Sequence, residues 1–457
     1  MASPTPIPQP RGLPLLGNIL DINPNNTWGS LKTLAEKHGE IFQIKVLGHT
    51  IVFVAGAALA EEICDEKRFR KYVGGPIVEI RYAVHDALFT AFDSEASWGV
   101  AHRILAPKLT KDAVAEVFDD MLSTTCVLAQ NWKRPGTNKI SVMGELNRLN
   151  LEATTFALFG QKLHGLDGPE HPMIKAMENA TSEAMKRPNR PGVLNWLFGS
   201  KFKSATAAMR SYAADVVKHR KENPTDRDDL LNAMLNVKDP ESGIALTESQ
   251  VIDEIVSMPI GSSTAPCVVA TAIYYLRKNS AAMVAARAEI DAVVQSDEPT
   301  YENILQLPYV EAVFRESLRL SFAAPGFNIE PIPTGSQSPV LLGGGKYKVA
   351  HDQAMIIVLA GVNRDPAVFD DPLAFRPERM YGEAYDRLPA GVKKGFGNGK
   401  RECIGKHYAW LWAMIVITKL IKEFDFELAD PGYQLHQDGW FNWRPVDFDV
   451  RVKRREV

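Results

Sequence analysis

The feature that most restricts the fold is a change of period along the chain. From about residue 57 to about residue 320 the apolar residues recur every three to four positions, the spacing of helices that bury one face. On either side the period drops to two. Ile41-Phe-Gln-Ile-Lys-Val46 and Thr50-Ile-Val-Phe-Val54 alternate around Leu-Gly-His, the pattern of a β-hairpin. Pro339-Val-Leu-Leu342, Lys346-Tyr-Lys-Val349 and Met355-Ile-Ile-Val-Leu359 repeat it around a turn at Gly343-Gly-Gly345, and Ser30 to His38 reads as a short amphipathic helix. The pattern predicts a mainly α chain of the α+β kind, a large helical body with a small β-rich region at its side. Neither an internal repeat nor a flexible linker divides the 457 residues, so one domain over 1–457 is expected.

Composition removes several alternatives. A net charge of -3 with 45% apolar and 23% charged residues is that of a globular chain and gives no electrostatic case for a nucleic-acid partner. Cys64, Cys126, Cys267 and Cys403 form no CxxC pair, so neither a disulfide framework nor a zinc site is expected, and a reducing, cytoplasmic compartment suits the chain. Cys64 and Cys126 read as small buried apolar residues. No window gives the roughly 20 uninterrupted apolar residues of a membrane span. Tyr408 to Thr418 comes nearest, but it is short and Lys419 follows it. The start has prolines at 4, 6, 8, 10 and 14 and no basic or apolar signal region, so this chain is expected to have neither a transmembrane anchor nor a secretory signal.

Phe396-Gly-Asn-Gly-Lys-Arg-Glu-Cys-Ile-Gly405 precedes a strongly apolar helical run from His407. Gly397, Gly399 and Gly405 permit close approach and backbone angles closed to other residues, which suits a loop packed beneath a flat ligand. Cys403 stands just before a helix start, whose unpaired N–H groups favour a thiolate, and Arg401 adds a positive charge suited to a carboxylate. The spacing Phe-x-x-Gly-x-Arg-x-Cys-x-Gly is met at every fixed position, and it resembles the haem-binding loop of the cytochromes P-450. The resemblance implies the cytochrome P-450 fold and haem b (iron protoporphyrin IX) ligated by Cys403. It also implies that Phe396 and Gly397 lie against the porphyrin and that Arg401 holds a propionate.

Further landmarks fall in the same order. Glu316-Ser-Leu-Arg319 is similar to the family's Glu-x-x-Arg, and at i, i+3 the two side chains share one helix face. Phe375-Arg-Pro-Glu-Arg379 resembles the segment whose last arginine joins that pair, which implies a structural triad of Glu316, Arg319 and Arg379. Trp98 and His102, at i, i+4, look like the early helix that hydrogen-bonds a propionate. Cys64-Asp-Glu-Lys-Arg-Phe69, Asp228-Asp-Leu-Leu231, Lys238-Asp-Pro240 and Glu423-Phe-Asp-Phe-Glu427 extend the resemblance over nearly the whole chain. They look most like the haem domain of fatty-acid hydroxylases in which haem and reductase share one polypeptide. That implies electrons from NADPH through FAD and FMN in a reductase, fused or separate, and leaves open that the chain is the N-terminal part of a longer fusion. Lys393, Lys394, Lys400, Arg401 and Lys406 crowd the cysteine loop and could steer an acidic FMN domain to it.

Between two apolar helical stripes lies Ser257-Met-Pro-Ile-Gly-Ser-Ser-Thr-Ala-Pro-Cys267. A proline inside a helix removes its own N–H bond and crowds the carbonyl four residues back, so Pro259 should free Ile255 and Pro266 should free Ser262. In the family a kinked Ala-Gly-x-acid-Thr segment here crosses the distal haem face and relays protons to dioxygen. Matching Gly261 and Thr264 to its glycine and threonine puts Ser263 where the acid belongs; a shift by one puts Ala265 where the threonine belongs. The acid is absent in either register. Ser263 and Thr264 are then the candidate proton carriers, with water at the freed carbonyls.

Phe89 resembles the phenylalanine that overhangs the haem in the fatty-acid hydroxylases, and Ile260, Ala324 and Phe327 should line the same apolar cavity. Where those relatives hold the fatty-acid carboxylate with an arginine and a tyrosine, this chain has His49 and Phe53. The loss points away from plain fatty acids and toward an uncharged or differently functionalised lipid-like or polyketide-like substrate. The resemblance implies a haem-thiolate monooxygenase that activates dioxygen reductively and inserts one oxygen atom. The missing acid keeps a second enzyme class open, rearrangement or dehydration of a hydroperoxide or direct use of peroxide. A haem sensor or electron carrier would have no need of a large apolar pocket.

Overall fold

The computed structural model describes residues 4–456 except 24, 47, 135–138, 336–337 and 440; Leu47, in the expected hairpin loop, lies outside the described residues. Seven helices position the site: α1 (Pro76–Val84), α2 (Ala96–Leu105), α3 (Val142–Phe159), α4 (Glu248–Ser262), α5 (Ala265–Lys278), α6 (Pro308–Ser321) and α7 (Lys406–Glu423). Their ends follow local chemistry. Proline occupies the first turn of α1 and α6, where its missing N–H costs no helical bond. Thr247 and Gln250 close a capping box on α4, and Gly160, at φ 69°, ends α3 in the left-handed region. From Leu411 to Ile421 every residue of α7 is buried, and α7 packs against α5 and α6 at the centre of the helical body. Taken through its break, Glu248–Lys278 is apolar and long enough to cross a membrane by composition alone, but most of it is buried among these helices.

The hairpin and the later strand at Met355 join in one sheet, while Val340–Leu342 and Tyr347–Val349 pair as a separate hairpin. β1 (Ile41–Val46), β2 (His49–Val54), β3 (Phe69–Lys71), β4 (Gly326–Pro331) and β5 (Met355–Val358) lie in the order β1-β2-β5-β4-β3. β1 and β2 pair as an antiparallel hairpin with Ile41 opposite Val54, and β5 runs parallel to β2 with Val52 opposite Met355. The hairpin and β5 were legible because their side chains alternate. β4 was not, since Pro325 and Pro331 bracket it and Gly326 starts it. A sheet of Ile140–Ser141, Asp449–Arg454 and Phe424–Leu428 also escaped the sequence reading, since Ser141 pairs with Asp449 across most of the chain.

Behind the cysteine loop, α6 is locked by a buried ion pair. Arg319 donates from Nε to Glu316 Oε2 at 2.7 Å and from Nη2 to Glu316 Oε1 at 2.8 Å, with both side chains sealed from solvent. The remaining guanidinium donors reach the carbonyls of Asn363, Pro372 and Ala374, which ties α6 to a long irregular segment. The Arg376 N–H donates to Glu316 Oε1. Arg379 is the looser third member: its Nε stands 3.5 Å from Glu316 Oε1, without hydrogen-bond geometry, and its Nη1 donates to Asp370 O. The expected triad is therefore a tight pair with a peripheral cation.

Breaking such a pair leaves the surviving charge stranded. Arg319→Leu is expected to cost about 3–5 kcal/mol by abandoning Glu316 in the core. Arg376→Leu, which removes only surface pairs to Asp370 and Asp371, should cost about 0–1 kcal/mol. Urea unfolding followed by circular dichroism checks the contrast through the two midpoints.

Candidate active site

Between the sheet and helices α4 and α5 lies a cavity of about 1730 Å³. Phe89, Ile260, Ala324, Phe327, Cys403, Phe396 and Gly397 all border it, as the sequence led one to expect. The cysteine loop is shaped by its own backbone. The Cys403 N–H donates to Phe396 O at 2.8 Å and the Gly397 N–H to Lys394 O at 2.9 Å. Gly397 and Gly399 sit at φ 85° and 57°, angles that disfavour a side chain. A Cβ on Gly395 would come within 3.0 Å of Leu318 on α6, so helix and loop approach closely there.

Sequence reasoning expected the start of α7 to favour a thiolate at Cys403. The structure corrects the balance: burial raises the thiol above its ordinary value, and the Gly405 N–H offsets this only in part. Without a cation the balance favours the neutral thiol, and a cation facing the sulfur would reverse the sign.

A group of cations collects on one rim of the cavity. The Arg401 guanidinium is almost fully buried, donates from Nη1 to Asp93 at 3.0 Å and from Nη2 to Ala91 O at 2.8 Å, and lies 5.1 Å from the Trp98 ring. The Trp98 and His102 rings stack with centroids 5.1 Å apart. Burial, then Arg103 and Arg401, hold the His102 imidazole below its usual value. Lys71, which the sequence reading missed, donates to Phe89 O at 2.7 Å; burial and then repulsion from Arg401 push it down to about 7. Among the described residues Lys71 has no carboxylate within ion-pair distance. A signal existed: Phe69 and Lys71 are two apart on one strand, so they share the face that Phe69 buries. Asp93 pairs with Lys400 and Arg401, and with Lys71 and His102 on the same rim the cations outnumber it, which leaves the rim fit for the two carboxylates of a haem. With a sulfur facing a large apolar space across a glycine loop, the residues fit that cofactor.

The distal helix departs from expectation in one respect. α4 ends at Ser262, Ser263 and Thr264 form a turn, and α5 begins at Ala265 with Pro266 in its first turn. Thr264 and Ala265 both border the cavity, and the Thr264 hydroxyl donates to Gly261 O at 3.2 Å. Ser263 does not border it. Its hydroxyl is buried, donates to Ile260 O at 2.7 Å and accepts from Asn442 Nδ2 at 2.7 Å. Ser262 is the serine on the cavity side, accepting from Asn150 Nδ2 at 2.9 Å and Thr154 Oγ1 at 3.2 Å. Neighbouring positions on a helix point about 100° apart, so one step moves a hydroxyl from cavity to core.

Four further residues were missed or differ. Phe441 borders the cavity and meets Phe89 edge-on with centroids 6.0 Å apart, although it lies in a segment with no periodicity. His49 is exposed at the mouth, whereas Phe53 stacks on Phe42 at 5.0 Å within the core of the sheet and meets the cavity from there. Glu254 is buried in the cavity wall, and its Oε1 accepts the Leu88 N–H at 2.8 Å. Burial pushes Glu254 up to about 8, the Leu88 N–H opposes this, and Asp253 and Asp86 add to it. It follows Val251 by three positions, on the buried stripe of α4, so the face was readable even though the residue type hid it.

Between the ordinary carboxylate value and about 8, folded chains keep a proton on Glu254 that unfolded chains release, so stability falls as pH rises through that window. Glu254→Gln can keep the bond from Leu88 and cannot titrate. Its melting temperature relative to the unsubstituted protein should rise steadily from pH 5 to pH 8, as scanning calorimetry can check.

Comparison with known proteins agrees with this geometry. Residues 7–450 match the family model for cytochrome P-450. The chain is 36% identical to a bifunctional cytochrome P-450/NADPH–P-450 reductase of Aspergillus oryzae, an alignment covering 100% of the chain and 42% of the relative. It is 36% identical to a second such protein, of Acremonium egyptiacum, over 98% of the chain and 43% of the relative. A self-sufficient cytochrome P-450 monooxygenase of Exserohilum turcicum is 35% identical over 99% of the chain and 42% of its own length. The chain thus spans less than half the length of these relatives. With its cysteine loop, cation rim and family match over nearly every residue, the chain belongs to the cytochrome P-450 family.

Proposed function

We propose that the chain is the haem part of a monooxygenase that inserts one oxygen atom into an uncharged apolar substrate, lipid-like or polyketide-like. NADPH supplies the electrons through FAD and FMN in a reductase, fused as in the relatives named bifunctional or separate. The observation that carries this reading is the Cys403 sulfur opening into a large apolar cavity beneath a glycine loop. When bound there through Cys403, haem would supply the reductive activation of dioxygen.

The chain's own residues then have definite tasks. Arg401, Lys71, His102 and Trp98 seat the propionates, Phe396 and Gly397 pack beside the sulfur, and Gly405 lends it an N–H. Phe89, Ile260, Ala324, Phe327 and Phe441 exclude water and press on an apolar chain. Thr264 and Ser262 hold the hydroxyl protons nearest the cavity. Lys393 and Lys394 are half-buried beside the loop, their Nζ atoms donating to Asp386 O and Asn398 Oδ1, and their charges would face an acidic FMN domain there. Lys406 is matched by Glu402, and Arg401 lies inside, so the docking charge is smaller than the sequence suggested. A cytoplasmic location belongs to the same reading.

Substrate charge follows from the mouth. Arg70 is held by Glu330 at 2.7 Å and Arg190 by Glu183, so both cations are already matched. His49 and Phe53 add no fixed charge. A second reading, use of a hydroperoxide whose oxygen is already reduced, is favoured by the withdrawal of Ser263 from the cavity into a bond with Asn442.

Reduced protein under carbon monoxide should show the red-shifted Soret band of thiolate ligation, and Cys403→Ala should abolish it; a nitrogen-ligand spectrum in the unsubstituted protein would overturn the haem assignment. In titrations of the haem-loaded chain, 1-dodecanol should bind more tightly than dodecanoate, by about tenfold if the carboxylate must enter without a partner. Equal affinity would reinstate fatty acids. Oxygen uptake with reductant, set against turnover of an added hydroperoxide, separates the two enzyme readings.

A further inference from the structure

Two adjacent side chains near the C-terminus touch different parts of the site. Phe441 borders the cavity and meets Phe89 edge-on, while Asn442 turns toward the break in the distal helix. There its Nδ2 donates to Ser263 Oγ at 2.7 Å and to Ser263 O at 3.1 Å. Helix ends leave carbonyls without intrahelical donors, and Ser263 O is such a group; besides Asn442, among the described residues only the weak Cys267 thiol reaches it, at 3.7 Å. Asn442 Oδ1 is buried without a hydrogen-bond partner, so the position uses the amide for its donors. On the opposite side Asn150 and Thr154 hold Ser262. The break is thus gripped from two sides, and one grip sits next to a cavity residue.

The segment bearing both residues is fixed at its ends. Gly439 adopts φ 141°, and a Cβ there would come within 1.8 Å of Asn442 O, so the backbone closes on itself where only glycine fits. The Trp443 N–H donates to Ala323 O at 3.0 Å, and its ring packs edge-on against Phe322 at 5.6 Å. Between these anchors, pressure on Phe441 has a short path to Asn442. A ligand shifts a conformational equilibrium only through contacts that differ between the two states, and the Phe441 ring supplies such a contact.

We propose that Asn442 is a positioning residue that transmits the seating of an apolar substrate against Phe441 to the helix break at Ser262–Thr264, and so sets the geometry of the cavity-side hydroxyls. The proposal rests on the haem-domain reading above for the identity of the cavity. Asn442 touches no substrate; it acts through Ser263. Occupancy of the cavity tightens the break, and loss of the amide uncouples the two.

Hydrogen exchange read by mass spectrometry on the haem-loaded chain, with and without 1-dodecanol, tests this without turnover. In the unsubstituted protein the probe should slow exchange of the backbone amides at 263–268 on the order of tenfold, about the effect of one hydrogen-bonded unit. In Asn442→Ala the probe should still bind but leave those amides unaffected, and Phe441→Ala should uncouple them likewise. Ser263→Ala, a small change that keeps the carbonyl partner, should retain part of the effect and provides a second measure should Asn442→Ala fold poorly. Slowing that persists in Asn442→Ala overturns the proposal, as do amides at 263–268 that ignore the probe in the unsubstituted protein. A fall in probe affinity as large in Asn442→Ala as in Phe441→Ala overturns it too, because Asn442 would then be cavity wall. The carbon monoxide band and its loss in Cys403→Ala are separate measurements, so failure of the haem reading is distinguishable from failure of the coupling.

Discussion

A thiol that opens onto an apolar cavity resists ionisation, because a charge with little water around it costs more than one N–H bond returns. At Cys403 that conflict is visible: burial drives the thiol up and the Gly405 N–H opposes it without winning. The loop around it is nevertheless built for a ligand, with glycines where side chains would intrude. Such a site is completed by a metal cation, whose field outweighs the desolvation. The same balance holds at the rim, where Lys71 is driven down to about 7 by burial and Arg401, a strain that added carboxylates would relieve. Sulfur and lysine are each mismatched to the protein alone, in opposite directions, and one dianionic metalloporphyrin corrects both.

The scaffold behind the sulfur has to keep its place despite that mismatch. Leu318 on α6 lies against Gly395, and α6 is tied through Arg319 to three backbone carbonyls of the segment leading into the cysteine loop. A buried ion pair gains little net stability against a well-packed apolar alternative. Here its donors are spent on carbonyls in an irregular stretch that has no ladder of its own, so Glu316 and Arg319 specify where the loop goes.

What could be read from the sequence divides along the same physical line. The cysteine loop, the Glu-x-x-Arg helix and the hairpin were legible because each is local: fixed spacing, one helix face, one alternation. Lys71, Glu254 and Phe441 escaped because their meaning depends on what faces them across the fold. Lys71 matters through Arg401, 330 positions away, and Phe441 through Phe89. The placement of Ser263 failed for a subtler reason. Counting residues gives the register, but whether a side chain at a helix break faces cavity or core is set by the local turn, and a single step changes the answer.

That break also explains why two prolines stand so close together. Pro259 lies within α4, which continues past it to Ser262, whereas Pro266 falls in the first turn of α5, where a missing N–H is harmless. Side chains in and against the break bond its carbonyls: Thr264 bonds Gly261 O, Ser262 bonds Pro259 O beside the Ser263 N–H, and Asn442 bonds Ser263 O. Each hydroxyl proton on the cavity side is therefore already directed at a carbonyl, and since Ser262 Oγ also accepts from Asn150 and Thr154, it is the Thr264 oxygen whose lone pairs remain to face the cavity. A hydroxyl in that state accepts a hydrogen bond and delivers a proton only after it rotates and abandons its carbonyl. A carboxylate would need no such exchange, since it can take a proton from solvent and pass it on. In the proposed monooxygenase the protons would pass through rotating hydroxyls and water, whereas a hydroperoxide, whose oxygen is already reduced, would need no such supply.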